Sequence, residues 1–425
     1  MKILGFRRGL LKFATRNYLV LAFTTLIWNL GLSVANTYFS LYVFELGGTE
    51  TTIGLIQALG SAGYIFSIVV GGCIADLYGR KKLLGLTTIV SGVSHILLAV
   101  APSWQFLAIA AVIVNLCWAG DPAFWAILAD SISEEHRGTA FAFFSFTNSL
   151  PWMVMPYLGG VLIDLEGVLV AMRWILFASA LLGIAAGIAR LFLLEETLSR
   201  PENVGRTAYS RDVKNIVVEA FREHYELWIS MPRPLLALAL TYVIWSFEFG
   251  LVEPYWIVYA EEEIGLTSTE WGTIIATGNA VSLIFKLLVV GRILDRFQRK
   301  KVLLVVLTFD SFSYFLFIFC RSFSQTLLLW IYGSIVWSFY EATYSSIEAD
   351  LVPKERRGRI YAAFSIAWSA FSIPASIIGG FVYENVNPKL SFMLASITVL
   401  ACLAVTLKFL RFTDKVSLRN ENDGS

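Results

Sequence analysis

Little in this chain is charged or chemically reactive. Of its 425 residues only 15% are Asp, Glu, Lys or Arg, with three histidines and four cysteines. An ordinary soluble domain carries roughly a quarter of its residues charged, so this composition excludes that class. A net charge of +1 leaves no footprint for nucleic acid. Cys73, Cys117, Cys320 and Cys402 all fall inside apolar stretches, which supports neither a disulfide framework nor a zinc pattern. There is no P-loop, no GxSxG and no HExxH, so an enzyme reading has no support and no cofactor or metal is expected. No small-residue cleavage site ends the first apolar run, and the basic N-terminus (Lys2, Arg7, Arg8, Lys12, Arg16) therefore leads into a retained helix.

What the chain does have is apolar length. Apolar residues make up 57% of it, in runs able to cross roughly 30 Å of hydrocarbon. They lie at about 18–44, 51–76, 83–101, 104–130, 138–163, 169–193, 233–260, 268–294, 302–320, 325–349, 358–382 and 389–411. The expected fold is an all-α membrane protein of twelve transmembrane helices. The expected division is a six-helix bundle over 1–193, a polar linker over 194–232, a second bundle over 233–411 and a tail over 412–425. Lys and Arg concentrate in the N-terminus, the 77–82 loop, the linker, the 295–301 and 350–359 loops and the tail. The opposite loops hold only Arg173, Arg321 and Lys389, and one carries Glu261, Glu262 and Glu263. This asymmetry predicts a cell-membrane protein with both termini in the cytoplasm.

The two bundles repeat one another. Asp121-Pro-Ala-Phe-Trp-Ala-Ile-Leu-Ala-Asp130, followed by Arg137-Gly138, is matched by Glu341-Ala-Thr-Tyr-Ser-Ser-Ile-Glu-Ala-Asp350, followed by Arg357-Gly358. Trp28 aligns with Trp245, Gly54 with Gly272, Gly60 with Gly278, and Gly159-Gly160 with Gly379-Gly380. Duplicated apolar halves with charges at matched depths suggest a machine that moves a solute between two halves.

Between helices 2 and 3 stands Gly72-x-x-x-Asp76-Leu77-Tyr78-Gly79-Arg80-Lys81-Lys82, and between helices 8 and 9 stands Gly291-x-x-x-Asp295-Arg296-Phe297-Gln298-Arg299-Lys300. These resemble the signature loop of the major facilitator superfamily and its second, degenerate copy, over about residues 15–412. Leu77 departs from the basic residue usual after the motif Asp, and Gln298 replaces the second motif Gly. Pro156-Tyr-Leu-Gly159-Gly160 is similar to a motif of drug–proton antiporters, with Met155 in place of its first Gly. Helix 4 lacks the intramembrane Arg of those antiporters. The resemblance implies two six-helix bundles in which helices 1, 4, 7 and 10 line a central cavity. It also implies a cytoplasmic gate of Gly72, Asp76, Gly79, Arg80, Asp130, Arg137, Asp295, Arg299, Asp350 and Arg357. In that gate Arg80 would pair with Asp130 and Arg299 with Asp350.

A charge inside hydrocarbon costs about 2.5–3.5 kcal/mol on insertion scales, so each one asks for a reason. Asp121 and Glu341 lie roughly 13 Å from their helix ends at 1.5 Å per residue. Trp118, Asp121 and Trp125 share one helical face, as do Trp337, Glu341 and Tyr344. Such carboxylate–aromatic faces suit a cationic or polar solute, or a proton; an acid hydrogen-bonded to a neighbouring helix is the plainer alternative. Glu253 precedes Pro254 as Asp121 precedes Pro122, and each proline frees a carbonyl four residues back. Glu248 shares a face with Trp245, Val252 and Trp256, and Asn29, Ser33, Asn36 and Ser40 form a stripe that suits either cavity lining or helix–helix bonding. Lys286 and Asp310 lie at matched depth on helices 8 and 9 and are expected to form a structural ion pair. His95 is a candidate proton carrier or a satisfied interior residue.

The sequence therefore reads as a secondary transporter working by alternating access, with export of amphipathic or cationic compounds by proton antiport as the leading expectation. Sugar or metabolite uptake is the alternative, and a transporter-like sensor is a third class. Expected partners are a small-molecule substrate, protons and the lipid bilayer, with no nucleic acid, and the chain is expected to work as a monomer.

Overall fold

The computed structural model describes residues 14–198, 222, 226–352 and 357–409, without the side chains of residues 73, 76–78 and 357–359. Its long helical rods are α1 (Arg16–Glu45), α2 (Glu50–Tyr78), α3 (Arg80–Ala99), α4 (Trp104–Asp130), α5 (Arg137–Glu166), α6 (Val168–Leu193), α7 (Arg233–Ile264), α8 (Ser268–Arg296), α9 (Arg299–Phe317), α10 (Phe323–Leu351), α11 (Arg357–Asn385) and α12 (Pro388–Phe409). Among the described residues, nine of these rods are long and apolar enough to cross a membrane by length and composition. The others, α5, α9 and α10, carry internal prolines or charges that lower their hydropathy: Pro151 and Pro156, Asp310, and Glu341 with Glu348. Helices dominate because hydrocarbon offers no partner for a backbone N–H or C=O, and a helix satisfies both within itself.

Local chemistry sets the ends of the rods. The hydroxyls of Thr15 and Thr49 cap α1 and α2 by accepting from the backbone N–H groups of Tyr18 and Thr52. Between α2 and α3 the chain turns at Gly79, whose φ of 101° is closed to side chains without strain. Its counterpart, Gln298, sits before α9 at φ −59°, where any residue is at ease. The missing motif glycine of the second copy is thus explained by a different turn.

The chain divides into two units. Among the described residues, the first holds 14–52, 59–198, 222 and Thr267–Gly272; the second holds Ile53–Ala58, 226–266, 273–352 and 357–409. Within the first, α1 packs on α5 and α6, and α3 packs on α6 and α4. Within the second, α7 packs on α11 and α12, and α9 packs on α12 and α10. The same neighbours recur in the same order, so the duplication seen in sequence is a duplication of packing. Each unit has its own core: Tyr18, Leu21, Phe124, Ile127 and Phe144 in the first, and Leu238, Trp245, Leu307, Tyr340 and Phe364 in the second.

Two of the rods are interrupted at the carboxylates. In α4 a 3-10 turn, Cys117–Gly120, stands immediately before Asp121-Pro122. In α7 a 3-10 turn, Glu253–Tyr255, contains Pro254. The proline ring cannot donate to the carbonyl four residues back and crowds it, so the helix tightens beside each acid.

Candidate functional site

In the first unit, the break in α4 presents Asp121 between two indoles. Trp118 and Trp125 are 41% and 48% exposed, far more than large aromatics in a packed core, while Ala123 and Phe124 between them are buried. Trp118 meets Tyr64 of α2 edge-on at 6.2 Å, and Trp125 stacks on Phe141 of α5 at 6.4 Å. The Asp121 carboxyl is half-buried and has the Trp125 indole N–H as a hydrogen-bonding neighbour. Asn29 on α1 donates to the Asn148 carbonyl of α5 at 3.2 Å, so its amide serves helix packing; Asn36 is exposed.

Behind Asp121 lies a cation that depth along the sequence does not reveal. Arg190 on α6 is only 6% exposed. Its Nε donates to the Thr24 hydroxyl at 3.0 Å, Nη1 to Thr88 at 2.8 Å and Nη2 to Thr25 at 2.9 Å. The guanidinium carbon stands 5.5 Å from the centre of the Phe124 ring, a cation–π distance. Its charge acts on Asp121. Close packing of α3 and α6 makes this reach possible. A Cβ on Gly187 would fall 3.0 Å from the Gly85 carbonyl oxygen and 2.7 Å from the Ile89 nitrogen, so only glycine lets the two backbones approach this closely. The paired threonines Thr24-Thr25 and Thr87-Thr88 were the available sequence signal for such a guanidinium. His95 on α3 is also buried; its Nδ1 lies 2.8 Å from the Ser91 carbonyl oxygen and its ring packs edge-on against Trp28 at 5.0 Å.

The second unit distributes its charges differently. Lys286 does not pair with Asp310: its Nζ lies 2.5 Å from Oε2 of Glu341. Matched depth placed Lys286 opposite Asp310, but Lys286 opens a π-helical turn, Lys286–Val290, which shifts its azimuth relative to the loop end of α8 from which its depth was counted. That turn packs on α10, where Glu341 is. Glu341 is thus a neutralised acid, half-exposed, and not a free counterpart of Asp121. Beside it Trp337 is 38% exposed, whereas Tyr344 is buried and donates to the Leu238 carbonyl at 3.3 Å. Trp245 of α7 is enclosed by Trp337, Tyr340 and Trp368 at 4.9, 4.5 and 4.9 Å. Glu248 is 1% exposed and Asp310 9%, and neither joins an ion pair among the described residues. Glu253, by contrast, is exposed.

At the ends of the motif loops, Arg80 Nη1 lies 2.5 Å from Asp130 Oδ2 and also reaches the Thr197 hydroxyl. In the second unit Arg299 pairs with Asp350 and donates to the Ser346 carbonyl at 3.2 Å. Gly72 is half-buried, and Arg137 and Asp295 are exposed. The side chains of Asp76 and Arg357 lie outside the described residues.

With twelve long helices, a duplicated packing scheme and matched motif loops in place, comparison with known proteins is direct. The model of the Major Facilitator Superfamily matches residues 21–347 and 238–424, so the chain belongs to the major facilitator superfamily. It is a multi-pass membrane transporter and not an enzyme. It is 18% identical over 366 residues to multidrug resistance protein 2 of Bacillus subtilis (strain 168), covering 86% of this chain and 87% of that one. A shorter match, 31% identical over 159 residues, is to a Na(+), Li(+), K(+)/H(+) antiporter of Planococcus maritimus, over 34% of this chain and 35% of that one. Among solved structures, a POT family transporter in complex with 5-aminolevulinic acid superposes with a TM-score of 0.74 at 14% identity, over 93% of this chain and 96% of that one.

Proposed function

We propose that this transporter exports amphipathic or cationic small molecules across the cell membrane by proton antiport, through alternating access and with both termini in the cytoplasm. The observation that carries this reading is the broken wall of α4, where Asp121 stands between the exposed indoles of Trp118 and Trp125. Indole faces attract cations and flat apolar bodies, and a carboxylate beside them either balances a cationic solute or takes up a proton in its place. Lys286 forms a direct ion pair with Glu341, whereas Asp121 joins none among the described residues and feels Arg190 only at longer range, so Asp121 is the acid assigned to the exchange. The likeness to a multidrug resistance protein over most of the chain agrees with export.

The test is a flux measurement in inverted vesicles energised to an acidic lumen and loaded with a pH-sensitive dye. Adding tetraphenylphosphonium should release luminal protons from vesicles holding the wild-type chain and not from vesicles holding Asp121→Asn. Vesicles that show no proton release with any lipophilic cation, but tryptophan quenching with sugars, would replace export with metabolite uptake.

A further inference from the structure

The few residues that follow α6 are tied back over the first unit. Leu194 is 1% exposed in the core that holds Tyr18 and Ile132, and its N–H donates to the Arg190 carbonyl at 3.3 Å. Glu195 gives both of its backbone groups to one side chain. Asn17 of α1, itself buried, accepts from the Glu195 N–H at 2.7 Å and donates to the Glu195 carbonyl at 3.0 Å. The carboxylate of Glu196 reaches the start of α3. Its Oε2 accepts from the Lys81 N–H at 3.1 Å and its Oε1 from the Arg80 N–H at 3.3 Å. Oε1 also accepts from the N–H groups of Thr197 and Leu198, at 3.1 and 3.2 Å. The Thr197 hydroxyl in turn accepts from Arg80 Nη1 at 3.4 Å, the same nitrogen that binds Asp130.

α3 needs a partner of this kind. A helix begins with N–H groups that have no acceptor inside it, and the positive end of its dipole favours an acid there. α3 has no capping side chain, because Gly79 precedes it, and no acid in its first turn. Instead Arg80, Lys81 and Lys82 place three bases where their sign is unfavourable. Glu196 supplies the missing acid from 116 residues further along the chain. It thereby fixes the backbone from which the Arg80 side chain springs, while Thr197 touches the guanidinium itself. A long side chain held at its root and at its head loses less freedom on meeting Asp130 than a free arginine would.

We propose that Glu196 is a positioning residue: with Asn17 it straps the first residues after α6 to the N-terminus of α3, and so aims Arg80 at Asp130. The pair in the motif loop then depends on where the linker begins. This inference goes beyond the export reading and holds whichever solute is carried.

Hydrogen exchange of the full chain in lipid nanodiscs reads the strap. Glu196→Ala should speed exchange at the Arg80 and Lys81 amides severalfold, and Glu196→Gln, which keeps an accepting oxygen, should restore most of the protection. Melting temperatures separate aiming from simple capping. Glu196→Ala and Asp130→Asn should each lower the melting temperature, and together by less than the sum of the two shifts, because both act through Arg80. In an Arg80→Gln background the two shifts should add. Glu196 and Asp130 are both exposed, so their substitution keeps the chain folded for either measurement. Unchanged exchange in Glu196→Ala would overturn the strap. Shifts that add while Arg80 is present, or that remain non-additive without it, would overturn the positioning role.

Discussion

The interiors of the two units carry opposite solutions to the same problem. In the first, a buried cation, Arg190, is wrapped by three threonine hydroxyls and an aromatic face, with Asp121 within electrostatic range. In the second, the cation Lys286 is drawn to a half-exposed glutamate, and two deeper acids remain without a base. Yet the rims agree: Arg80–Asp130 and Arg299–Asp350 occupy the same place in the repeat. Duplication has kept the backbone packing and the loop pairs while the inner charges diverged.

The contrast can be broken most sharply at Arg190. Truncating it in Arg190→Ala takes the guanidinium from three hydroxyls, two of them buried, and should cost roughly 3 kcal/mol or more, seen as a large fall in melting temperature in detergent. Arg190→Lys should recover only part of this, because one ammonium cannot match a planar fork spread over three hydroxyls. Removing an acid from the second unit should carry no such cost. Glu248→Gln and Asp310→Asn are expected to leave the melting temperature at neutral pH unchanged or slightly raised, because each replaces a buried acid that no base among the described residues pairs with by a neutral group of the same shape; a fall comparable to that of Arg190→Ala would erase the distinction between the units.

Next in size is transport. Asp121→Asn should lower tetraphenylphosphonium-driven proton flux at least tenfold, about 1.4 kcal/mol of barrier. Glu341→Gln should lower it less, and Lys286→Met combined with Glu341→Gln should restore part of the loss by removing the stranded lysine. Equal losses at Asp121 and Glu341 would show that the repeat is symmetric in function after all. A double-mutant cycle on Lys286 and Glu341 should return a coupling of about 0.5–1 kcal/mol in stability, small because both side chains are partly exposed and screened. The smallest effect belongs to Arg16–Glu195, whose side chains are 54% and 66% exposed. Its removal should leave the melting temperature unchanged within error.

Much of this architecture is legible in the sequence because hydrocarbon imposes simple rules. Apolar length fixes the rods, and the motif copies locate the turns that hold Arg80 and Arg299. The broken helices are legible too, since Asp121-Pro122 and Glu253-Pro254 announce them. What depth counting could not supply is azimuth. Lys286 and Asp310 share a level but not a direction, and the π turn that redirects Lys286 leaves no mark on an apolar pattern. Arg190 escaped for a related reason. It stands three residues from the end of α6, beside the charged linker, where a cation ordinarily signals topology. Only its place opposite the threonines of α1 and α3 reveals it as an interior group.

The threonine cradle has a mechanical side. Its hydroxyls belong to α1 and α3 while the guanidinium belongs to α6, so one residue fastens three helices at a single point. Sliding any of the three past another would strand that fork of donors. α4, by contrast, has a 3-10 turn beside Asp121 that lacks a full set of α-helical bonds. In that arrangement the residue assigned to exchange a proton sits beside a break in its own helix, next to a unit corner that Arg190 holds fast.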